Sequence, residues 1–247
     1  MIVESIRYGI HKIFDQKVFL LAALLSIPLI FVFSISLFFE SFLQTFFVYD
    51  IFFSIFYIIY YPFLFSVFVL YASKEIGKKK IKSYYNLLKE NLRYYPKVLI
   101  LFVAVSIILG LLFLPSFLYA FFVTYSITNL LIFFVIFLVN LVFVIYIYFR
   151  LFLSQYLVII ENRDIIDSLK YSWKVSKGRV LGLFLIGFVF SLILAFLSGL
   201  FLFLFFLIFK NPFVSLLIIY VSSIVSLIYY TFSYPYAYLK FIRKKKR

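Results

Sequence analysis

The chain contains no cysteine, one histidine and only nine acidic residues among its 247. Without cysteine it forms neither disulfide bonds nor thiolate metal sites, and one histidine cannot build a histidine metal cluster. Charged residues make up 13% of the chain, too few to cover the surface of a soluble domain of this size. We therefore expect no metal and no cofactor, and much of the standard chemistry of enzymes is excluded.

Apolar residues dominate the sequence instead. They account for 66% of it, aromatic residues alone for 25%, and the mean hydropathy is +1.16, whereas soluble domains contain about 45–50% apolar residues. This composition predicts an all-α polytopic membrane protein. In such a protein the net charge of +15 is interpreted as a topology signal rather than as a nucleic-acid site.

Six apolar segments are long enough for a helix to cross the hydrocarbon core of a bilayer. We expect them to form six transmembrane helices, arranged as three hairpins within a single integral membrane domain covering 1–247. The segments are 18–39, 51–72, 98–122, 129–150, 180–209 and 213–239.

Basic residues are confined to alternate connections. Of the 24 Lys and Arg residues, 23 lie in the two tails and in the connections 73–97 and 150–179, and the other connections carry only Glu40, Asp50 and Lys210. Because basic residues in short loops are retained in the cytoplasm, we expect a multi-pass protein of the cell membrane with both termini cytoplasmic. The loops are too short for a catalytic domain, so we expect no enzyme.

The segment before each predicted hairpin has the periodicity of an amphipathic helix. Apolar residues recur on one side and charged residues on the other, which predicts three helices lying in the cytoplasmic headgroup region; solvated linker helices are the alternative. The apolar positions are Ile2, Ile6, Ile10 and Ile13, then Ile81, Tyr85, Leu88 and Leu92, then Ile166, Leu169 and Trp173.

These three segments also resemble one another. VESIRYGIHK at 3–12 matches IDSLKYSWKV at 166–175, and IKSYYNLLKE at 81–90 matches both more weakly, with Ser5, Ser83 and Ser168 aligned. The pattern predicts three repeats, 1–72, 80–160 and 164–240, related by pseudo-threefold symmetry about the membrane normal. Chance similarity among amphipathic segments is the alternative.

One part of the sequence resembles a known family. Arg150, then Glu161, then DSLKYSWKVSKGRV at 167–180 is similar to a large family of six-span membrane proteins, which includes the membrane domain fused to some bacterial glycerophosphodiester phosphodiesterases. The resemblance implies a six-span fold and brings no catalytic residues, because catalysis in the fused proteins belongs to a soluble domain that this sequence does not contain. The matching residues are Leu169, Ser172, Trp173, Ser176, Lys177 and Gly178; the family's usual proline is missing, with Ser154, Gln155 and Tyr156 in its place.

Arg150 is the main candidate site residue, since apolar residues surround it and a charge at bilayer depth costs about 2.5–3.5 kcal/mol. It can snorkel to the cytoplasmic boundary. Alternatively it binds a lipid phosphate or pairs with Glu161 or Asp167 of the third amphipathic helix. The candidate headgroup site is completed by the lysines of that helix, Lys170, Lys174 and Lys177.

Small residues recur at every fourth position in the fifth span. They predict a helix-packing seam, with another span of the same chain as the expected partner and a homo-oligomer contact as the alternative. The seam residues are Gly187, Ser191, Ala195 and Gly199, and Asn140 and Gln155, in or beside the fourth span, are expected to form interhelical hydrogen bonds.

Together these features predict a non-enzymatic membrane protein that binds, organises or moves lipids at the cytoplasmic leaflet. The alternative is a permease or channel subunit for a small solute, although the predicted spans contain no Asp or Glu, which disfavours ion-coupled transport. The expected partners are membrane lipids, with a homo-oligomer or another membrane protein left open.

Overall fold

The described part of the chain is helical. The computed structural model describes the backbone of residues 1–40, 46–79, 81, 83–122, 126–209 and 212–243, and no strand occurs within these ranges. The all-α class expected from the composition is therefore confirmed for them. The elements are α1 (Ile2–Ile13), α2 (Gln16–Glu40), α3 (Phe46–Ile76), α4 (Tyr84–Phe122), α5 (Ile127–Leu151), α6 (Leu153–Ile160), α7 (Ile165–Ser176), α8 (Val180–Phe209), α9 (Pro212–Ala237) and a π-helical turn (Tyr238–Ile242).

Five helical segments in these ranges are long and apolar enough to cross a membrane, which makes this a membrane-embedded, multi-pass protein. The predicted first span falls on α2, whose portion Gln16–Leu29 is apolar but shorter than a span. A count of six spans therefore stays a prediction. The five segments are Ser54–Ile76, Tyr84–Ala120, Thr128–Ile160, Val180–Leu204 and Leu217–Ile242.

The chain divides into two compact units. Unit 1 consists of Met1–Tyr95 and Gly182–Arg247, and unit 2 consists of Pro96–Leu181. The two boundaries lie inside α4 and near the start of α8, rather than between the predicted repeats.

The core of unit 1 lies between α2, α3 and α9. It is built from small and branched residues that let the helices approach, together with two phenylalanines. Its fully buried members are Val18, Ala22, Leu64, Phe68, Ala72, Ile224, Leu227, Ile228 and Phe232.

Tyrosine hydroxyls connect the helices of unit 1 by donating to backbone carbonyls. Tyr60 of α3 donates to Leu25 O at 2.7 Å, and Tyr220 of α9 donates to Ala23 O at 2.7 Å. Both acceptors lie beside Leu24, whose carbonyl loses its helical partner because Pro28 has no N–H. Donating to a backbone carbonyl satisfies a tyrosine hydroxyl in an apolar environment, so these bonds fix helix positions where few other polar contacts exist.

The amphipathic helix α1 packs against the C-terminal half of α9. Gly9 lies so close to it that a Cβ would overlap Ser233 Oγ and come within 2.8 Å of Tyr229 Cδ2. Tyr8 stacks on Tyr236 with ring centroids 4.4 Å apart. The small residues of α1 therefore face the protein, while its large apolar residue Val3 is exposed.

Unit 2 contains the rest of α4 together with α5, α6 and α7. Asn140 Nδ2 of α5 donates to Ser116 Oγ of α4 at 2.7 Å, which confirms the interhelical hydrogen bond expected for Asn140. Lys97 Nζ of α4 lies 2.6 Å from Asp164 Oδ1, just before α7. The short helix α7 packs on α5 and α6.

The second predicted amphipathic helix is not a separate element. Residues from Tyr84 onward continue without interruption into the following span, through Pro96, as the single helix α4. The other two amphipathic helices end because the chain turns: Asp15 bonds the backbone N–H of Lys17 after α1, and Gly178 adopts a φ of +73° after α7. Residues 93–97 contain neither a glycine nor a capping Asp, so nothing there reverses the chain.

Candidate functional site

Arg150 lies close to the junction between α5 and α6, at the end of the fourth predicted span. It occupies the last turn of α5, and α6 begins at Leu153 after Phe152, which keeps helical φ and ψ. The residue is only 5% exposed. It is therefore buried within a span that continues to Ile160, rather than extended to a surface at the end of α5.

A face of α7 formed by serines packs on the backbone at the junction of α5 and α6. Ser172 Oγ donates to Arg150 O at 2.7 Å, and Ser176 Oγ lies 3.3 Å from the same oxygen. Ser168 is one helical turn earlier on the same face, and all three serines are buried. The Ser172 hydroxyl thus donates to a carbonyl at the junction of α5 and α6 and helps to hold α7 against them, while the shorter bond of Ser176 is to Ser172 O at 2.7 Å within α7.

The guanidinium group of Arg150 is held by aromatic rings. Its Cζ lies 4.2 Å from the ring centroid of Trp173 and 5.8 Å from that of Tyr146. Among the described residues, its Nε and Nη1 are buried with no hydrogen-bond acceptor, and the hydroxyls of Ser154 and Ser168 are likewise buried without a partner. Since most buried polar atoms in proteins are hydrogen-bonded, these four unpartnered atoms of unit 2 are unusual.

Unit 2 contains three carboxylates, and none of them pairs with Arg150. Glu161 Oε2 accepts from Arg163 Nε at 2.7 Å, and Asp164 pairs with Lys97. The hydrogen bond from Lys97 lowers the pKa of Asp164. Asp167 is exposed, because the serine face of α7 turns inward and carries the adjacent Asp167 outward. In this structure Arg150 does not snorkel to a surface, and it does not pair with Glu161 or Asp167.

The three lysines of the candidate site lie elsewhere on α7 and in the turn that follows it. Lys170, Lys174 and Lys177 are exposed, as is Ile166, and Trp173 is 42% exposed while covering Arg150. The helix thus presents cations and large apolar groups outward and serines inward. The sequence reasoning missed this serine face, although the spacing of Ser168, Ser172 and Ser176 by four residues could have indicated it.

The predicted packing seam on α8 is used over half its length. A Cβ at Gly187 would lie 2.5 Å from Tyr234 Oη, and Ser191 hydrogen-bonds Tyr230, so both contact α9. Ala195 and Gly199 are exposed, and a Cβ at Gly199 would meet nothing within 4 Å. The described side chains of α9 thus contact the first two positions of the seam.

Although the predicted spans contain no Asp or Glu, Glu75 and Glu90 lie inside the helical segments Ser54–Ile76 and Tyr84–Ala120, close to their ends. Glu75 at the end of α3 pairs with Lys12 of α1, and Glu90 near the start of α4 pairs with Lys74. Lys12 also lies 3.1 Å from Asp15 Oδ2. Among the residues of the described ranges, no three His, Asp or Glu side chains are grouped as a metal site would require.

The ion pairs shift the pKa values of Lys12 and Asp15, which lie outside the spans. Burial by itself would lower the pKa of Lys12, but its hydrogen bonds to Glu75 and Asp15 raise that pKa above the ordinary value. Burial by itself would raise the pKa of Asp15, but the hydrogen bond from Lys12 lowers it. Both groups are therefore charged over the whole physiological range, which keeps α1 bound to the rest of unit 1.

Unit 1 contains an apolar cavity of about 530 Å³ between α1, α8 and α9. Its walls include Ile10 and Phe14 of α1, Phe190 and Leu197 of α8, and Val221 of α9. Apart from Ser198 and Ser222, the lining residues are hydrophobic. Such a lining suits a hydrocarbon chain and offers little to a polar solute.

Comparison of the chain with protein-family models, with curated proteins and with solved structures found no match.

Proposed function

We propose that this protein is a non-enzymatic component of the cell membrane that binds anionic lipid at the cytoplasmic leaflet. One observation carries the proposal: Arg150 is buried in unit 2 with two unsatisfied donor nitrogens and no carboxylate partner among the residues that the structure describes. A buried cation without a counter-ion destabilises a fold, and an anion from outside the chain would remove that cost.

The surroundings of Arg150 favour a lipid as the source of that anion. The guanidinium group lies under Trp173, an aromatic residue of the type enriched at the headgroup level of membranes. The exposed lysines of α7 and of the following turn, Lys170, Lys174 and Lys177, would attract anionic lipids by about 1 kcal/mol each. An amphipathic basic helix is thus combined with a buried arginine in the same unit.

We propose that both termini are cytoplasmic. In unit 1 the N-terminal helix α1 contacts the C-terminal half of α9 through Tyr8 and Tyr236, and it contacts the end of α3 through Lys12 and Glu75. The two ends of the described chain are therefore on one side of the helices that they contact. The distribution of basic residues assigns that side to the cytoplasm.

We further propose that the chain consists of three repeats, each a helical segment followed by a hairpin of spans. The alignment of Ser5, Ser83 and Ser168 places Gly9, Leu87 and Ser172 at one equivalent position, and all three are buried. The helical segment of each later repeat contacts the end of the hairpin before it: the start of α4 pairs with α3, and α7 packs on α5 and α6. The first segment, α1, contacts α9 of the last hairpin instead. Six spans and a threefold arrangement are the corresponding predictions, as is membership of the six-span family that the motif around Trp173 resembles.

The proposal is tested by the lipids that co-purify with the protein in a nonionic detergent. The ratio of anionic to zwitterionic phospholipid should exceed that of the source membrane for the wild type, and should fall to it in Arg150→Gln. Arg163→Gln is the matched control, because Arg163 also stacks on an aromatic ring, that of Tyr171 at 3.7 Å, but has its own carboxylate partner. Equal enrichment in Arg150→Gln and wild type would contradict the proposal.

The alternative function, a permease or channel subunit, predicts solute flux through liposomes containing the purified protein. Two serines of the last span do not favour it: Ser222 lines the apolar cavity of unit 1, and Ser223 donates to Ile219 O within its own helix. Protein-dependent flux of a small solute, insensitive to Arg150→Gln, would replace the lipid proposal with this one.

A further inference from the structure

We infer that the apolar cavity of unit 1 holds one acyl chain of a phospholipid from the cytoplasmic leaflet. This inference goes beyond the proposed function, because the cavity lies in unit 1 and Arg150 lies in unit 2. Only the choice of leaflet rests on the proposed topology. The inference is argued from three properties of the cavity: its lining, its depth and the charged helix at one end.

The lining of the cavity suits a hydrocarbon chain. Apart from Ser198 and Ser222 the lining residues are hydrophobic, and the Ser198 hydroxyl donates to a carbonyl of its own helix. Leu197 and Leu217 in the walls are exposed, so the cavity opens on the surface of unit 1. At bilayer depth an empty cavity would lose the dispersion contacts of its walls. The adjacent lipid chains supply the atoms that restore those contacts.

The length of the cavity matches the depth of one leaflet. Its walls extend from Phe190 to Phe201 on α8 and from Val225 to Leu217 on α9. From the helical rise per residue these distances are about 16 Å and about 12 Å. One leaflet contributes about half of a hydrocarbon core of about 30 Å. A chain that enters at one end of the cavity therefore reaches the other end within its own leaflet.

The helix α1 identifies the headgroup end of the cavity. Ile10 and Phe14 line this end, and exposed Lys17 follows at the start of α2. Lys17 directly precedes Val18, which is buried in the core that α2 shares with α9. Because a charge at bilayer depth is costly, these charged segments place this end of the cavity at the headgroup level.

Exposed Arg7 favours a phospholipid over an uncharged hydrocarbon. It lies one turn before Ile10 on the same face of α1. This face therefore combines a cation with an apolar residue of the cavity wall. A phospholipid whose chain fills the cavity has its phosphate group at the level of α1, where Arg7 and Lys17 attract it.

The test is photolabelling of the protein in phosphatidylcholine vesicles, because a detergent chain would itself enter the cavity. The first probe is a phosphatidylglycerol with a diazirine at the methyl end of one acyl chain. Mass spectrometry of peptides should find more label on Ile218, which lines the cavity, than on exposed Ile219, which lies outside the lining and reports contact with bulk lipid. A second probe, with the diazirine near the carboxyl end of the chain, should label Ile10 and Phe14 instead.

A variant with a filled cavity separates a held chain from ordinary contact with bulk lipid. Ser198→Phe combined with Ser222→Phe adds a ring to both walls, so the excess label on the cavity wall should be lost. Gly199→Phe combined with Ser223→Phe is the matched control. Each of these residues follows a wall serine, is exposed and lies outside the lining, so the control should be labelled like wild type.

Three outcomes would overturn the inference. Equal label on Ile218 and Ile219 in wild type, or an excess that persists in the filled variant, would show ordinary contact with bulk lipid. Label at the opposite ends of the cavity from the two probes would overturn the choice of leaflet. Label from a diazirine fatty acid, with none from the phospholipid probes, would overturn the phospholipid as the occupant.

These outcomes are independent of the proposed function. Arg150→Gln should be labelled in the cavity like wild type, so a failure of anionic lipid binding at Arg150 leaves this result unchanged. If the filled variant does not fold, the difference between Ile218 and Ile219 and the positions labelled by the two probes in wild type still decide the inference.

Discussion

Replacing Arg150 by methionine should stabilise the protein when no lipid is present. A buried charge in a membrane span costs about 2.5–3.5 kcal/mol, and the contact with Trp173 returns about 2 kcal/mol when the cation is desolvated. Methionine fills similar space without a charge, so Arg150→Met should gain about 0.5–1.5 kcal/mol, taken as the difference of these two values. For a chain of this length each kcal/mol corresponds to about 2–4 °C in the unfolding temperature.

Anionic lipid should make wild type more stable than Arg150→Met. A ligand present at a hundredfold excess over its dissociation constant stabilises the folded state by about 2.7 kcal/mol, which wild type gains and Arg150→Met loses. The assay is thermal unfolding in nonionic detergent, with and without phosphatidylglycerol, and Arg163→Met is the control. That variant removes the bond to Glu161 and the stacking on Tyr171, so it should be less stable under both conditions. A lipid-free Arg150→Met that unfolds several degrees below wild type would show that the chain itself compensates the guanidinium, which would refute the reasoning.

Three further predictions concern unit 1 and the topology. Gly9→Ala should destabilise the protein by about 1–3 kcal/mol, because its Cβ would overlap α9; an unchanged unfolding temperature would contradict the close docking of α1. The stabilisation that Asp15 supplies through Lys12 should be complete above about pH 4 and be lost as the pH falls through its lowered pKa, so the difference in unfolding temperature between wild type and Asp15→Asn should shrink below that pH; a constant difference would refute it. Because the chain has no cysteine, Lys170→Cys and Ser126→Cys give unambiguous labelling sites: an impermeant thiol reagent added to whole cells should label only Ser126→Cys, and the reverse would invert the topology.

The five spanning helices found among the described residues were predictable because their cause is local. A run of about 20 apolar residues is enough to predict a spanning helix, and each predicted segment lies within helices of the structure. The continuity of α4 was not predicted. Pro96 normally favours a helix boundary, but the structure continues through it because residues 93–97 contain no glycine or capping residue to reverse the chain.

The candidate site was predictable only in part, because its geometry depends on tertiary packing. The composition around Arg150 identified the residue, but three environments were compatible with it. Which one occurs depends on α7, whose serines turn toward α5 and α6 and carry Asp167 away from Arg150. Helical periodicity alone placed the large apolar residues Ile166 and Trp173 on one face and did not indicate that the serines would face the protein.

The most direct test of the account is native mass spectrometry of the protein in a mild nonionic detergent, comparing wild type with Arg150→Gln and Arg163→Gln. The account predicts that wild type and Arg163→Gln each retain one anionic phospholipid per chain, and that Arg150→Gln is detected without it. The same spectra report the number of chains in the assembly. A wild type without lipid, or an Arg150→Gln variant that retains the same lipid in the same proportion, would contradict the claim that Arg150 is completed by a lipid anion.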